Sequence, residues 1–205
     1  MSDPQAIVHL VDDEAAVRDA LAFLMQSHGL TVLAHASGPE LLDALAARPD
    51  PQGCIVLDVR MEPLSGLQVH DELRLRGVPL PVIFLSGHGD IPMAVDALQK
   101  GALDFVEKPF NDQALVNKVQ RALAQDAHRH REAQAQAGAE AKLASLTERE
   151  REVALLVAAG KLNKQVADEL GIAIRTVEVH RARAFLKMGL RSAAELAALL
   201  ERLKR

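Results

Sequence analysis

Five polar side chains stand where apolar runs end: Ile7-Val8-His9-Leu10-Val11 leads into Asp12 and Asp13, Cys54-Ile55-Val56-Leu57 into Asp58, Val82-Ile83-Phe84-Leu85 into Ser86, and Asp104-Phe105-Val106-Glu107 into Lys108. Carboxylates gathered at one place repel each other unless a cation sits among them. Oxygen ligands on short side chains suit Mg²⁺, which binds few carboxylates and keeps several waters. An aspartate can also be the nucleophile and take a phosphoryl group as an acyl phosphate. Such a transfer needs positioning and charge neutralisation, which Mg²⁺ and a lysine supply. Lys108 suits the lysine role, and Ser86 could donate to a phosphoryl oxygen. Any one of these residues alone reads equally well as an unrelated strand-end polar group. Convergence of all of them on one rim weakens that alternative.

For the five to converge, the runs must be neighbouring strands. Continuous apolar runs of this length are expected of parallel strands buried on both faces, and in open α/β sheets ligand chemistry gathers at the carboxyl ends of strands. Between the runs, helical spacing is expected over residues 14–28, 39–47 with Ser37 as cap, 65–76 and 90–100, with a last helix from about 111 and a short strand over 31–36. Alternating strands and helices imply a parallel sheet covered on both sides. No GxGxxG or GxxxxGK[ST] pattern follows a strand, which counts against a dinucleotide or P-loop enzyme. Cys54, the single cysteine, is expected to be a small buried hydrophobe, and excludes an intrachain disulfide framework.

Charge divides the chain: residues 1–125 carry a net −8 and residues 126–205 a net +4. The split suggests two domains, the second facing nucleic acid. No stretch approaches the roughly 20 apolar residues of a membrane span, and no signal pattern opens the chain, so a soluble cytoplasmic protein without membrane contact is expected. Residues 126–143 are rich in Ala, Gln and Glu. They are expected to continue the preceding helix to about residue 136, with a flexible linker as the competing reading. His128 and His130 do not share a helix face, and a solvated surface is expected there. Further on, Thr147 and Glu150 form a capping box. Asn163 is expected to cap a short helix, Gly171-Ile172 to turn the chain, and helices to follow from about 175 to 188 and after Ser192. Two short helices joined at a glycine, the second of them basic, make a helix-turn-helix. A generic four-helix interaction module is the alternative, and it leaves Arg175, Arg181, Arg183 and Lys187 without a role.

Asp12-Asp13, Asp58-Val59-Arg60-Met61, Ser86-Gly87 and Lys108-Pro109-Phe110 resemble the receiver domain of two-component response regulators, over about residues 5–125. The stretch from Ser86 to Val95 resembles the NarL/FixJ family in particular. The resemblance implies a flavodoxin-like, doubly wound five-stranded sheet of order 2-1-3-4-5. It implies phosphorylation at Asp58, with Mg²⁺ held by Asp13, Asp58 and the backbone carbonyl of Arg60, and with Asp12 placing a water. Ser86 and Lys108 would contact the phosphoryl group, Phe105 would be the aromatic that changes rotamer on activation, and Pro109 would follow a cis peptide bond. Ile91, Val95, Gln99 and Asp104 would form the contact surface of a phosphorylated homodimer, with Ala94 and Leu98 on the core side of the same helix. One departure stands beside the site: Glu62 occupies the position of the family's usual proline, with Pro63 one residue later.

Residues 144–205 resemble the LuxR-type DNA-binding domain through Leu146-Thr147, Arg149-Glu150, Gly160, Asn163-Lys164, Ala167, Leu170-Gly171 and Arg175-Thr176-Val177-Glu178-Val179-His180-Arg181. The resemblance implies that Glu178, Val179 and Ala182 face base edges, that Lys164, Arg175, Thr176, Arg181 and Lys187 approach phosphates, and that Val177 is core. Ala173 replaces the family's usual serine cap. Together the two resemblances imply a transcription factor, not an enzyme in the ordinary sense. It would be phosphorylated by a histidine kinase, pair on promoter DNA and meet RNA polymerase. Two alternatives remain at this point. One is a Mg²⁺-dependent phosphatase-like enzyme, disfavoured because Arg60 stands where its second acid is needed. The other is a receiver acting by protein contact without phosphate.

Overall fold

The computed structural model describes residues 6–87 and 91–203, and only the backbone of Ile91, Pro92 and Ala94. Residues 88–90 of the NarL/FixJ-like stretch therefore lie outside the described residues, as does the Ile91 side chain. The chain forms two compact units, Met1–His130 and Arg131–Arg205.

The first unit alternates β1 (Ile7–Val11), α1 (Ala15–Ser27), β2 (Thr31–His35), α2 (Gly38–Ala46), β3 (Gly53–Asp58), α3 (Gly66–Leu75), β4 (Val82–Ser86), α4 (Ile91–Gln99) and β5 (Asp104–Glu107), and α5 (Asp112–Ala144) follows. The strands are all parallel, in the order β2-β1-β3-β4-β5. This is the expected doubly wound sheet. Every residue of β3 is buried, because the pleat sends alternate side chains to two separate cores. Ile55 and Leu57 pack with Leu41, Val69, Leu73 and Ala97 of α2, α3 and α4. Cys54 and Val56 pack with Leu21, Met25, Leu115 and Val119 of α1 and α5. Burial pushes the Cys54 thiol up to about 12, with the Asp126 charge adding to it. The thiol is therefore the inert, buried hydrophobe expected.

Local chemistry sets the helix starts. Ser37 Oγ accepts from the Glu40 amide, and Ser65 and Gln68 form a reciprocal capping box. Gly66 is required by close approach: a Cβ there would lie 2.1 Å from the Asp58 carbonyl oxygen. Its own amide donates to the Val59 carbonyl at 2.9 Å, so α3 begins pressed against the backbone that leaves β3.

Three expectations change. Helix α5 continues to Ala144, past residue 136. Gly138 costs roughly 1 kcal/mol relative to alanine, and the good helix formers around it outweigh that. In α4 the sheet-facing residue is Ala97, fully buried, while Leu98 is 45 % exposed. The small alanine allows close approach, which turns the helix one residue away from the expected phase. His130 is buried, not solvated. Its Nε2 lies 3.0 Å from Asp50 and its Nδ1 3.3 Å from the buried carboxylate of Asp126. Asp126 also accepts from Arg129 at 2.8 Å and from the backbone amide of Gly53, at the start of β3, at 2.8 Å.

The second unit contains α6 (Glu148–Ala158), α7 (Asn163–Leu170), α8 (Ile174–Met188) and α9 (Ala193–Leu203). Val153, Val157, Val166, Ala167 and Val177 form one core group, and Leu146, Ala154, Ala184, Met188 and Leu196 another. Thr147 and Glu150 make the expected capping box. Leu162, not Asn163, holds the N-cap position of α7, and its amide donates to Gln165 Oε1 at 2.8 Å. Gly171 joins α7 to α8 at φ 64°, the left-handed region that suits glycine. Ala173 starts α8 without a side-chain cap.

Candidate functional site

Parallel register brings the strand-end residues to one rim, because β1, β3 and β4 all terminate there. Asp12 and Asp58 are buried, at 1 % and 7 % exposure. Lys108 Nζ donates to Asp58 Oδ1 at 2.7 Å and to Asp12 Oδ2 at 3.1 Å. Backbone amides take the remaining oxygens: Arg60 N donates to Asp58 Oδ2 at 2.7 Å and Glu14 N to Asp12 Oδ1 at 2.9 Å. The Lys108–Pro109 peptide is cis, as expected, and Glu62–Pro63 is cis as well. Glu62 itself is exposed. Ser86 is buried at the end of β4, and its carbonyl accepts from the Lys108 amide at 2.6 Å.

The electrostatics follow from burial. Desolvation raises the Asp58 carboxyl above its usual range; Lys108 opposes the shift and the Asp12 charge adds to it. Burial works against the Lys108 ammonium, yet its bonds to Asp58 and Asp12 outweigh burial and raise its pKa. Two carboxylates thus share one ammonium, leaving a surplus of negative charge at the rim.

That surplus, with an all-oxygen donor set, suits a hard divalent cation such as Mg²⁺. The expected ligands Asp13, Asp58, Arg60 and Asp12 are not assembled into a cage here. Asp13 is exposed, Lys108 bridges Asp12 and Asp58, and among the described residues no group of three or more His, Cys, Asp or Glu is arranged to hold a metal.

Phe105 is half-buried and packs on Phe84, ring centroids 6.4 Å apart, and Phe84 meets the buried His70 edge-on at 5.5 Å. On α4, Val95 is 50 % exposed and Gln99 is exposed. Asp104 is half-buried and ion-paired with Lys118.

In the second unit, α8 turns Val177 inward and leaves Arg175, Thr176, Glu178, Val179 and Ala182 exposed, with Lys164 exposed on α7. Arg175 and Glu178 lie 3.6 Å apart. Two of the expected phosphate contacts, Lys187 and Arg181, also make bonds within the fold. Lys187 Nζ donates to the buried Glu150 of the α6 cap at 2.6 Å. Arg181 donates to Asn163 Oδ1 at 2.9 Å and lies over the Phe185 ring, which ties α8 to the start of α7. Arg183, one of the basic residues that favour the helix-turn-helix reading, is exposed on α8.

A doubly wound sheet with paired acids and a lysine at its rim, followed by a helix-turn-helix unit, defines a regulator with a phosphate-accepting half and a DNA-binding half. The comparisons agree. Residues 8–120 match the family described as response regulator receiver domain, and residues 144–200 match bacterial regulatory proteins of the luxR family. The chain is 45 % identical over 189 residues to the transcriptional regulatory protein FixJ of Azorhizobium caulinodans, covering 92 % of this chain and 89 % of that one. It is 50 % identical over 193 residues to the C4-dicarboxylate transport transcriptional regulatory protein DctR of Rhodobacter capsulatus, covering 93 % and 96 %. Among solved structures, response regulator StyR aligns with a TM-score of 0.88 at 39 % identity, covering 97 % of this chain and 99 % of that one. The chain belongs to the two-component response regulators that join a receiver to a luxR-type DNA-binding domain. It is a transcription factor, and its receiver implies a histidine kinase as partner. No described helix is long and apolar enough to cross a membrane.

Proposed function

We propose that Asp58 accepts the phosphoryl group and that its phosphorylation pairs two chains on promoter DNA. The bridge from Lys108 to both Asp58 and Asp12 supports this reading, since it joins a buried carboxylate, a second acid and an ammonium at one rim. An Asp58 carboxylate oxygen bonds to phosphorus as the phosphorus–nitrogen bond of the kinase's phosphohistidine breaks, and the imidazole leaves with the electron pair. Asp13, Asp58 and the Arg60 carbonyl would hold Mg²⁺, with Asp12 placing a water, and the ion would supply charge neutralisation for the phosphoryl group. Lys108 neutralises the phosphoryl oxygens from its side, the Arg60 amide holds the carboxylate in place, and the Ser86 hydroxyl donates to a phosphoryl oxygen. The same groups let the protein take phosphate from a small acyl phosphate. Because its target is DNA, it acts in the cytoplasm.

Incubation with acetyl phosphate and Mg²⁺ followed by intact mass tests the assignment. The parent gains a phosphate-sized increment and Asp58→Asn does not. Equal labelling of the two removes Asp58 from the role.

Pairing raises DNA affinity without new base contacts, because two linked half-sites bind together. A switch requires that phosphate favour one of two conformations. Ser86 drawn toward the phosphoryl group would make room for Phe105 to turn inward. That motion would reshape the surface of Val95, Gln99 and Asp104, next to the exposed Leu98. In sedimentation of phosphorylated protein, Val95→Arg is expected to stay monomeric while Ala135→Arg pairs normally; the opposite pattern moves the interface to residues 126–143. Contact of the DNA-bound dimer with RNA polymerase completes the proposed role.

A further inference from the structure

Helix α8 presents more to solvent than the residues expected to read DNA. At 3.6 residues per turn, Arg175, Val179, Ala182 and Leu186 fall within about 60° of arc, and all four are exposed. Arg183, also exposed, flanks that line, while Val177, Ala184 and Met188 are buried on the opposite face. Leu186 is 83 % exposed. A single exposed leucine needs no explanation by itself. This one continues the line of Val179 and Ala182 in the second helix of a helix-turn-helix, the element that enters the major groove. Arg175 on the line and Arg183 beside it make a polyanion its complement, and Val179, Ala182 and Leu186 alone offer too little apolar area for stable protein docking.

We infer that Leu186 is a specificity-determining residue that packs on the C5-methyl group of a thymine at one edge of the half-site, with Arg183 on the adjacent phosphate. Leu186 stands about 6 Å further along the axis than Ala182, close to two base pairs beyond it. Thymine is the one base that offers a methyl group in the major groove. That methyl projects at the outer edge of the groove, near its own strand's backbone. Leucine has no hydrogen-bonding group, so the methyl is the only feature it can read. The inference rests on α8 lying in the groove.

Selection of duplexes from a random pool, using full-length protein phosphorylated with acetyl phosphate and Mg²⁺, tests it. The parent is expected to fix an A·T pair outside the central bases. Leu186→Ala should keep the central bases and lose that preference alone, while Leu186→Met, still apolar, keeps it. In the parent's preferred duplex, replacing that thymine with deoxyuridine removes only the methyl. The parent should then weaken about fourfold, the worth of one buried methyl group, and Leu186→Ala should not respond. Arg183→Gln is expected to weaken both duplexes equally and to flatten the salt dependence. Leu186 is solvent-exposed, so the variants melt as the parent does. An unchanged outer preference in Leu186→Ala, an equal affinity of the parent for uracil and thymine, or a uniform loss across sequences overturns the inference. So does a change in pairing by sedimentation without a change in preference. If the parent selects no sequence at all, the placement of α8 in the groove falls too.

Discussion

Lys108 in the receiver and Lys187 in the DNA-binding unit do the same elementary thing. Each donates to a carboxylate that the fold has buried, at 2.7 Å to Asp58 and 2.6 Å to Glu150. Their surroundings separate them. Glu150 is a single acid facing a single ammonium, and it also accepts from the Thr147 amide at 2.9 Å as part of a helix cap. Lys187 first, and then that amide, hold its carboxyl down at about 2. Nothing at that position is left over. Asp58 shares its lysine with Asp12, and burial drives its carboxyl upward. The charge there is unbalanced, and an unbalanced buried site recruits further charge, whether a cation or a phosphoryl group with one. A buried ion pair is thus poor guidance to function by itself; the ratio of acids to cations around it is better guidance.

The sharpest way to break this comparison is to remove each lysine. Lys108→Met is expected to slow phosphoryl uptake from acetyl phosphate about 10²-fold, as for loss of a group that stabilises transition-state charge, and to leave the fold intact. Comparable uptake in this variant would mean that the lysine is structural, like its counterpart. Lys187→Met should do the reverse. It strands the Glu150 carboxylate and loosens the α6 cap, so melting of the second unit falls by several degrees while phosphoryl uptake is unchanged. A variant that melts normally yet loses DNA affinity would restore Lys187 to the phosphate-contacting set.

A smaller effect separates the two units by pH. His9 and His35 are buried and stacked, with His9 Nδ1 3.0 Å from His35 Nε2, and His9 Nε2 has no hydrogen-bond partner among the described residues. Burial, followed by the His35 and Arg48 charges, lowers the His9 pKa to about 4. Between pH 6.5 and 4 the unfolded chain binds a proton that the folded chain refuses. Stability of the first unit is therefore fully present above 6.5 and declines as pH falls through that window, by up to about 3 kcal/mol. Glu150 contributes above pH 4.5, and its contribution declines only as pH falls toward 2. Acid titration followed by residue-resolved hydrogen exchange should show the receiver loosening first, and His9→Gln should flatten the upper window. Simultaneous loosening of both units would contradict this ordering.

The receiver rim was legible because each of its residues ends an apolar run, and a parallel sheet has only one carboxyl edge. The helix-turn-helix followed from equally local signals, caps, glycines and helical spacing, whereas the strand order came only with the family resemblance, because local patterns do not say which strands neighbour each other. The bond of Lys187 to Glu150 was not legible because the two stand 37 residues apart. A basic residue on a recognition helix looks the same in sequence whether it faces phosphate or a carboxylate within the fold. Arg181 and Asn163 repeat the lesson at a separation of 18. Leu98 was misplaced because the short α4 offers Ala, Val and Leu on several faces, so its phase is set by close approach to the sheet and not by hydrophobicity.

Asp126 has a practical consequence for anyone exchanging output domains. Family resemblance suggests cutting after residue 125, where the apolar stripe of α5 fades. Such a junction removes the acceptor of the Gly53 amide at the foot of the strand that carries Asp58, and a buried donor left unpaired costs about 1–3 kcal/mol. Asp50 would lose His130 in the same cut. A hybrid joined after residue 130, five residues beyond the boundary that the resemblance suggests, keeps both.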